Sequence, residues 1–193
     1  TQPVQRNFYQ IIKAAPGVNA DISSSGSAML AYGGTSESQN AFTLDGVNVA
    51  DAGAGQHWLL PSIQWMQEVQ VGGLGAPAEY GGYTGGIING VTKSGGNETH
   101  GAFDIYYEPS SWVSDNDPNS DEEEFEFESY SASVGGRIVQ DKLWYFISGE
   151  YQNSITTPYG AVDTSDRELP RVLGKLTYQA NAQHRLSLMA EYD

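Results

Sequence analysis

The sequence predicts a mainly β protein, with a mixed α+β region over residues 1–96 and a region of antiparallel β-strands over residues 97–193. In the first region, one helical pattern and several short apolar segments are separated by glycine-rich turns. In the second, polar and apolar residues alternate along five segments, which is the pattern of strands with two different faces. The 12 Tyr, 6 Phe and 23 Gly agree with a β-rich fold.

The first region begins with a predicted helix. Residues 6–15 carry apolar side chains at helical spacing, and Pro16-Gly17 would end the helix. Residues 19–35 are rich in Ser and Gly, so we expect a loop there with a short strand near 29–31.

A small mixed sheet is predicted next. Residues 41–49 form two alternating arms around Asp45-Gly46, a dipeptide that type I′ hairpin turns favour because both central residues need positive φ. Residues 61–66 open on proline, which is favoured at the first helical position, so they predict a short helix. Two further strands are predicted at 68–72 and 87–92.

The second region is predicted to contain five antiparallel strands. Apolar residues such as Ile105, Val134 and Ile147 share one face, and Ser, Glu, Arg and Gln are frequent on the other. The predicted strands are 100–108, 128–139, 143–153, 170–180 and 184–192.

The connections between these strands alternate in length. Those at 109–127 and 154–169 are long, and those at 140–142 and 181–183 are short. Outer-membrane barrels have long outer loops and short periplasmic turns, with strands that alternate apolar-out and polar-in. An ordinary soluble β-sandwich also has alternating strands, so this pattern favours the barrel but leaves the sandwich open.

Composition excludes several classes of protein. Without cysteine there is no disulfide framework and no thiolate zinc site. The sequence has no apolar run of the roughly 18 residues that a membrane-spanning helix needs. Nine basic residues against 24 acidic ones argue against a nucleic-acid partner. The chain opens without a secretory signal, so we expect a mature or shortened form of an exported protein.

No catalytic motif is readable. Lys93 and Ser94 follow a predicted strand and do not open a helix, which is not the context of a phosphate-binding loop. The glycines before them therefore indicate tight turns and close backbone packing. No Ser-His-Asp set can be assigned, and the three histidines lack the spacing of metal ligands. We therefore do not expect an enzyme.

An acidic run without Lys or Arg extends from Asp104 to Glu128. Five of its oxygen-bearing residues have the spacing of a calcium-binding loop, although Ser120 replaces the expected glycine and no helices flank the loop. A solvated outer loop explains the same charge. The candidate calcium ligands are Asp115, Asp117, Asn119, Asp121 and Glu126.

Five charged residues fall on the predicted polar face of the second region. They either line a substrate path or bond to one another and to the first region, because a buried charge needs a partner. These residues are Glu150, Arg171, Lys175, Arg185 and Glu191.

A set of short motifs runs along the chain from residue 6 to about residue 152. The motifs are RNF at 6–8, APGV at 15–18, NAFTLDG at 40–46, IQ at 63–64, QEVQV at 67–71, EYG at 79–81, GGIIN at 85–89, VTKSG at 91–95, VGGRIV at 134–139 and DKLWYF at 141–146. Each motif is weakly specific by itself, but the ordered set resembles the Oar-like TonB-dependent receptors of the outer membrane, in which the motifs follow the same order.

The resemblance implies a globular plug domain, residues 1–96, followed by about the first five strands of an antiparallel transmembrane β-barrel, residues 97–193. Barrels with plugged lumens reach 22 strands, so we expect a piece of a longer receptor. The implied plug motif is structural, not catalytic. It comprises Asp45, Gly46, Tyr80, Gly81, Gly85, Gly86, Asn89, Thr92 and Lys93.

The function that the resemblance implies is import across the outer membrane. A ligand would bind at the cell surface and enter with energy relayed by TonB, which works with ExbB and ExbD. The plug would face the periplasm, the acidic loops would be extracellular, and outer-membrane lipid would surround the barrel. Two other functions stay open: a barrel component that docks or exports a surface protein, and a soluble β module that binds calcium or glycan.

Overall fold

The computed structural model describes residues 12, 15–23, 26–32, 37–51, 61–73, 81–112, 125–156 and 165–192. The chain divides into two compact units, Thr1–Lys93 and Ser94–Asp193. Within the described ranges the secondary structure is eleven β-strands and three short 3-10 turns, so the protein is mainly β as predicted. No helix in these ranges is long and apolar enough to cross a membrane.

The first unit opens with a β-hairpin where a loop was expected. Strands β1 (Val18–Ser23) and β2 (Gly26–Ala31) pair antiparallel, from Val18 opposite Ala31 to Ser23 opposite Gly26. The loop prediction for 19–35 was therefore wrong, apart from the short strand near 29–31. The alternation of Val18, Ala20 and Ile22 with polar residues was the available signal, and the Ser/Gly composition obscured it.

A four-stranded sheet forms the rest of the first unit, in the spatial order β4-β3-β6-β5. Its strands are β3 (Ala41–Leu44), β4 (Val47–Asn48), β5 (Met66–Gly72) and β6 (Ile87–Thr92). β3 runs parallel to β6, and the other two pairs are antiparallel. The predicted hairpin and the two predicted strands are confirmed.

The helical predictions fare less well. The predicted helix at 6–15 lies outside the described residues except for Ile12, which is helical and buried, and Ala15. The predicted helix at 61–66 is a 3-10 turn at Ile63–Trp65, capped by the Ser62 hydroxyl, which accepts a hydrogen bond from the Gln64 amide at 3.1 Å. The turn stays short because β5 begins directly after it.

The core of the first unit lies on one face of this sheet. Phe42 and Ile88 are direct neighbours in the parallel pair, and Ile12 packs on both. Val69 and Val71 of β5 extend the cluster. Burying side chains of this size contributes about 1.5–3 kcal/mol each, so this apolar face holds the small sheet together.

The second unit is a five-stranded antiparallel sheet in which every strand pairs with its neighbour in sequence. The predicted order is confirmed. The sheet is open, with β7 and β11 at its edges, because closing a barrel takes about eight strands or more. The strands are β7 (His100–Glu108), β8 (Phe125–Val139), β9 (Leu143–Thr156), β10 (Ser165–Gln179) and β11 (Arg185–Tyr192).

Three strands of this sheet, β8, β9 and β10, extend beyond their predicted limits at the end nearest the long connections. Glu126 and Ile155 are paired there, as are Ile155 and Asp166. In β8 and β10 the alternation changes phase at this end, so that acidic residues occupy the positions that apolar residues hold further along. A prediction that follows one continuous polar–apolar alternation therefore ends β8 and β10 too early.

The turn between β3 and β4 offers a test of the local fold. Asp45 has a φ of 50° and Gly46 a φ of 82°, the left-handed pair that a type I′ turn requires. Replacing Gly46 with Ala should cost about 1 kcal/mol, because a Cβ is unfavourable at this φ. Hydrogen exchange of the hairpin amides in the full-length protein should accelerate about fivefold.

Gly72→Ala is the matched control, because a Cβ at Gly72 meets no atom within 4 Å and its φ is not in the left-handed region. Equal acceleration in both variants would contradict the assignment of the turn.

Candidate functional site

The five-stranded sheet of the second unit has the opposite polarity to that of a soluble protein. Its buried face is polar: Ser148 and Thr177 are each 1% exposed. Its apolar face is open: Phe103 is 70% exposed and Ile147 is 52% exposed. A β-sandwich would bury the apolar face against a second sheet, so this arrangement argues against the sandwich and matches the wall of a membrane barrel.

Tyrosines divide the apolar face into levels. Tyr130 of β8 lies directly opposite Tyr151 of β9 and forms an upper row with it. Tyr145, six residues before Tyr151 on β9, and Tyr178 of β10 mark a lower row. Six residues of strand span roughly 20 Å, close to the roughly 25 Å apolar band of an outer-membrane barrel that aromatic girdles enclose.

Above the upper tyrosine row the same face becomes acidic. Glu128 pairs with Asn153, which pairs with Glu168 on the next strand, one step beyond the tyrosines. Tyr107 lies at the boundary and donates a hydrogen bond from its hydroxyl to Oε1 of Glu126 at 3.2 Å. The open face of the sheet therefore changes from apolar to charged residues at this level.

On the polar face, two of the predicted charges pair with each other. NH1 of Arg171 lies 3.5 Å from Oε2 of Glu150, and both side chains are almost completely buried. The Ser129 hydroxyl donates to Oε1 of Glu150 at 3.2 Å, and NH2 of Arg171 donates to Gln152 at 3.2 Å. A buried ion pair that is also hydrogen-bonded is a structural arrangement. Of the two alternatives for these charges, a substrate path or bonding to one another, Glu150 and Arg171 therefore follow the second.

The other predicted charges of this face are placed differently. Lys175 is buried, at 7% exposure. Arg185 is exposed, and its guanidinium carbon lies 5.9 Å from the ring centroid of Trp144, within range of a cation–π contact. Glu191 is half-buried. These three residues lie on the two neighbouring strands β10 and β11.

In the first unit, Asp45 clamps the end of β6. Its Oδ1 accepts the backbone N–H of Thr92 at 2.9 Å, and its Oδ2 accepts the Thr92 hydroxyl at 2.5 Å. The Asp45 amide donates to the carbonyl of Gly90 at 2.8 Å. We call this set of bonds the Asp45 clamp. It joins the hairpin turn to the parallel strand and gives each carboxylate oxygen a hydrogen-bond partner, which is a structural role.

Asn89 extends the network across the polar face of the small sheet. Its Oδ1 accepts the Thr43 hydroxyl at 2.8 Å and the Gly46 amide at 3.2 Å. Its Nδ2 donates to Gln70 at 3.2 Å, whose own amide nitrogen donates to Glu68 at 2.7 Å. One asparagine thus connects β3, β5 and β6.

The glycine motif lies against a residue that sequence analysis missed. Asn40, which is 4% exposed, accepts the Gly86 amide on its Oδ1 at 2.8 Å. A Cβ on Gly85 would lie 2.5 Å from the same oxygen, so glycine is needed there for close approach. Asn40 directly precedes the predicted hairpin, and its position in the NAFTLDG motif was the only signal available.

The remaining motif residues are placed as follows. Gly81 is exposed. The Lys93 amide donates to the Trp65 carbonyl at 2.7 Å, next to the clamp residue Thr92. Tyr80 lies outside the described residues. The motif as a whole stays a prediction.

The calcium prediction is not tested. Its first four residues, Asp115, Asp117, Asn119 and Asp121, lie outside the described residues, and Glu126 accepts the Tyr107 hydroxyl. Within the described ranges no group of three or more His, Asp or Glu is arranged to hold a metal ion.

Solved structures with a similar fold include siderophore receptors and an outer membrane transporter. The siderophore receptor PirA of Acinetobacter baumannii matches 99% of this chain over 29% of its own, at 21% identity and a TM-score of 0.67. The ferric enterobactin receptor PfeA of Pseudomonas aeruginosa, solved with enterobactin, matches 98% of this chain over 30% of its own, at 19% identity and a TM-score of 0.67. The Escherichia coli outer membrane transporter YddB matches 92% of this chain over 29% of its own, at 16% identity and a TM-score of 0.66. At these identities the likeness concerns the fold.

Sequence comparison points to the same class. The TonB-dependent transporter Oar of Myxococcus xanthus is 26% identical over 94% of this chain. The chain spans 20% of the length of that relative. No family model matches the chain. The sequence match confirms the resemblance to Oar-like TonB-dependent receptors, and the solved structures support the fold.

The Asp45 clamp can be tested with paired threonine variants. Thr92 is 1% exposed and donates its hydroxyl to a carboxylate. Thr92→Val should weaken the sheet by about 1.5–3 kcal/mol, the range for a hydrogen bond to a charged group, and speed hydrogen exchange in β6 of the full-length protein. Thr43→Val removes a bond to a neutral amide and should cost only about 0.5–1.5 kcal/mol. Equal costs would show that the carboxylate adds nothing.

Proposed function

We propose that this chain is the plug core and the first barrel strands of an outer-membrane TonB-dependent transporter. The transporter binds a ligand at the cell surface and imports it with energy relayed by TonB, which acts with ExbB and ExbD. It has no catalytic role. In this proposal the five-stranded sheet of the second unit is the start of the barrel wall, and it is called the wall below.

The polarity of the wall is the observation that carries the proposal. Its open face is apolar between two tyrosine rows, and its polar face contains the buried Glu150–Arg171 pair. An apolar face of this kind is stable only against lipid or another apolar surface. This argues against the soluble module.

The orientation of the wall follows from its two ends. The short turns, 140–142 and 181–183, lie at one end, and the long connections lie at the other together with the acidic level that contains Glu128 and Glu168. In outer-membrane barrels the short turns are periplasmic and the long loops extracellular. The acidic level therefore lies on the outer side in this proposal.

The first unit suits a plug that is remodelled during transport. β4 contributes only two residue pairs, and β3 pairs with β6 over four residues. The Asp45 clamp and the Asn89 contacts supplement these short ladders. Short ladders of this kind can open at lower cost than long ones.

TonB dependence can be tested without knowing the ligand. Strains that lack this gene, TonB, or both should lose uptake of the same solute, measured by mass spectrometry of the growth medium over time. The double deletion should add no further loss of that solute. Uptake that depends on the gene and persists without TonB would overturn the proposal. Loss of a surface protein, with solute uptake unchanged, would favour the docking or export alternative.

The depth of the wall in the membrane gives a second test. Ile147 lies between the tyrosine rows, and replacing it with Arg should cost about 2–4 kcal/mol, as for a charge near the bilayer midplane. Ile155 lies on the same face at the acidic level, so Ile155→Arg should be tolerated. The folded fraction of full-length protein in outer membranes, read from gel mobility without boiling, should fall only for Ile147→Arg. Equal loss in both variants would contradict the lipid assignment.

A further inference from the structure

The segment that precedes β7 is fastened to the turn between β8 and β9 by one side chain. Oδ1 of Asn97 accepts the backbone N–H of Asp141 at 3.1 Å and the indole Nε1–H of Trp144 at 2.9 Å. Nδ2 of Asn97 donates to Oδ1 of Asp141 at 2.6 Å. We call these three hydrogen bonds the Asn97 clasp.

Both partners of Asn97 are themselves held in place. Asp141 has a φ of 56°, a left-handed conformation that non-glycine residues rarely adopt, and its amide and carboxylate both bond to Asn97. Trp144 has the guanidinium of Arg185 over its ring, which links it to β11. The clasp therefore reaches from the segment before β7 to the strand at the far edge of the wall.

Close packing at Gly95, two residues before Asn97, holds the same segment against the hairpin. A Cβ on Gly95 would overlap the backbone carbonyl oxygens of Tyr145 and Gly136, which belong to the two strands joined by the clasped turn. The backbone of Gly95 thus lies directly on the β8–β9 hairpin. Position 95 attaches the segment to the hairpin by close backbone packing, and position 97 attaches it to the same hairpin by hydrogen bonds.

The position of the clasp in the chain indicates its role. The Lys93 amide donates a hydrogen bond to the Trp65 carbonyl within the first unit, and only Ser94 separates Lys93 from Gly95. The β7–β8 ladder starts a few residues later, with His100 opposite Gly135. A force that reached His100 along the chain would act first on this end of the β7–β8 ladder.

We infer that the Asn97 clasp is a mechanical stop that fixes the chain to the wall, so that a pulling force on the first unit does not reach β7. The inference rests on the proposed function, in which the plug is pulled while the wall stays intact. In the absence of the clasp, the same force would continue through the segment and unzip the first strand of the wall.

Single-molecule pulling on the full-length protein in a lipid bilayer tests the stop directly. A handle at the start of the first unit replaces TonB, so the result is independent of TonB. In the wild type, extension should end once the residues up to Lys93 are drawn out. In Asn97→Ala, the same force should release residues 94–108 as well, adding about 15 residues, or roughly 50 Å of chain.

Two further variants complete the test. Asn181 caps the other short turn by accepting the amides of Gln183 and His184, both at 2.9 Å, so Asn181→Ala should leave the length unchanged. Trp144→Phe removes the indole N–H that bonds to Asn97, along with part of the ring that faces Arg185, and should lower the force at which the extra length appears. This variant keeps the test decisive if Asn97→Ala fails to insert.

Each result decides the inference. Extra length in the Asn97 and Trp144 variants, with Asn181→Ala like the wild type, supports it. Wild-type length and force in Asn97→Ala and Trp144→Phe overturn it, as would equal extra length in Asn181→Ala. Failure of the proposed function would appear separately, as solute uptake that persists in the strain without TonB.

Discussion

The phase of the alternation along β7 to β11 is the constraint on which the rest of the second unit depends. Side chains on a strand point to opposite faces in turn, so one choice of phase places most apolar residues between the tyrosine rows on the open face and most serines, with the Glu150–Arg171 pair, on the buried face. The buried Glu150–Arg171 pair, the tyrosine rows and the open apolar face all follow from that choice. A shift of one residue in any strand would reverse its faces and leave charges among apolar neighbours.

The two units use polar contacts differently. In the first, a carboxylate and an asparagine hold short strands together: Asp45 binds the end of β6, and Asn89 joins β3 to β5. In the second, long ladders supply most of the order, and polar contacts such as the Asn97 clasp secure the ends. The short β3–β4 and β3–β6 ladders can open by losing a few bonds, whereas the ladders of the second unit open only if many bonds are lost.

Sequence reasoning succeeded where one local rule was sufficient. The Asp45-Gly46 turn was predictable because few dipeptides accept two left-handed residues, and β6 was predictable as a short apolar segment between turns. It failed for β1, where Ser and Gly masked a real alternation, and at the outer end of β8, where the alternation changes phase. Asn40 was missed because its hydrogen bond to Gly86 joins positions that are distant in the chain.

The sequence by itself determined the mainly β fold, the order of the strands in the second unit and the resemblance to a receptor family, because each is encoded in local spacing and in the order of short motifs. Only the tertiary structure decided which face of the wall is buried, that Glu150 pairs with Arg171, and that Asn97 fastens a segment to a turn beyond the next strand. All three features depend on which strands become neighbours and on the register in which they pair. Pairing between distant segments leaves no periodic trace in a single sequence.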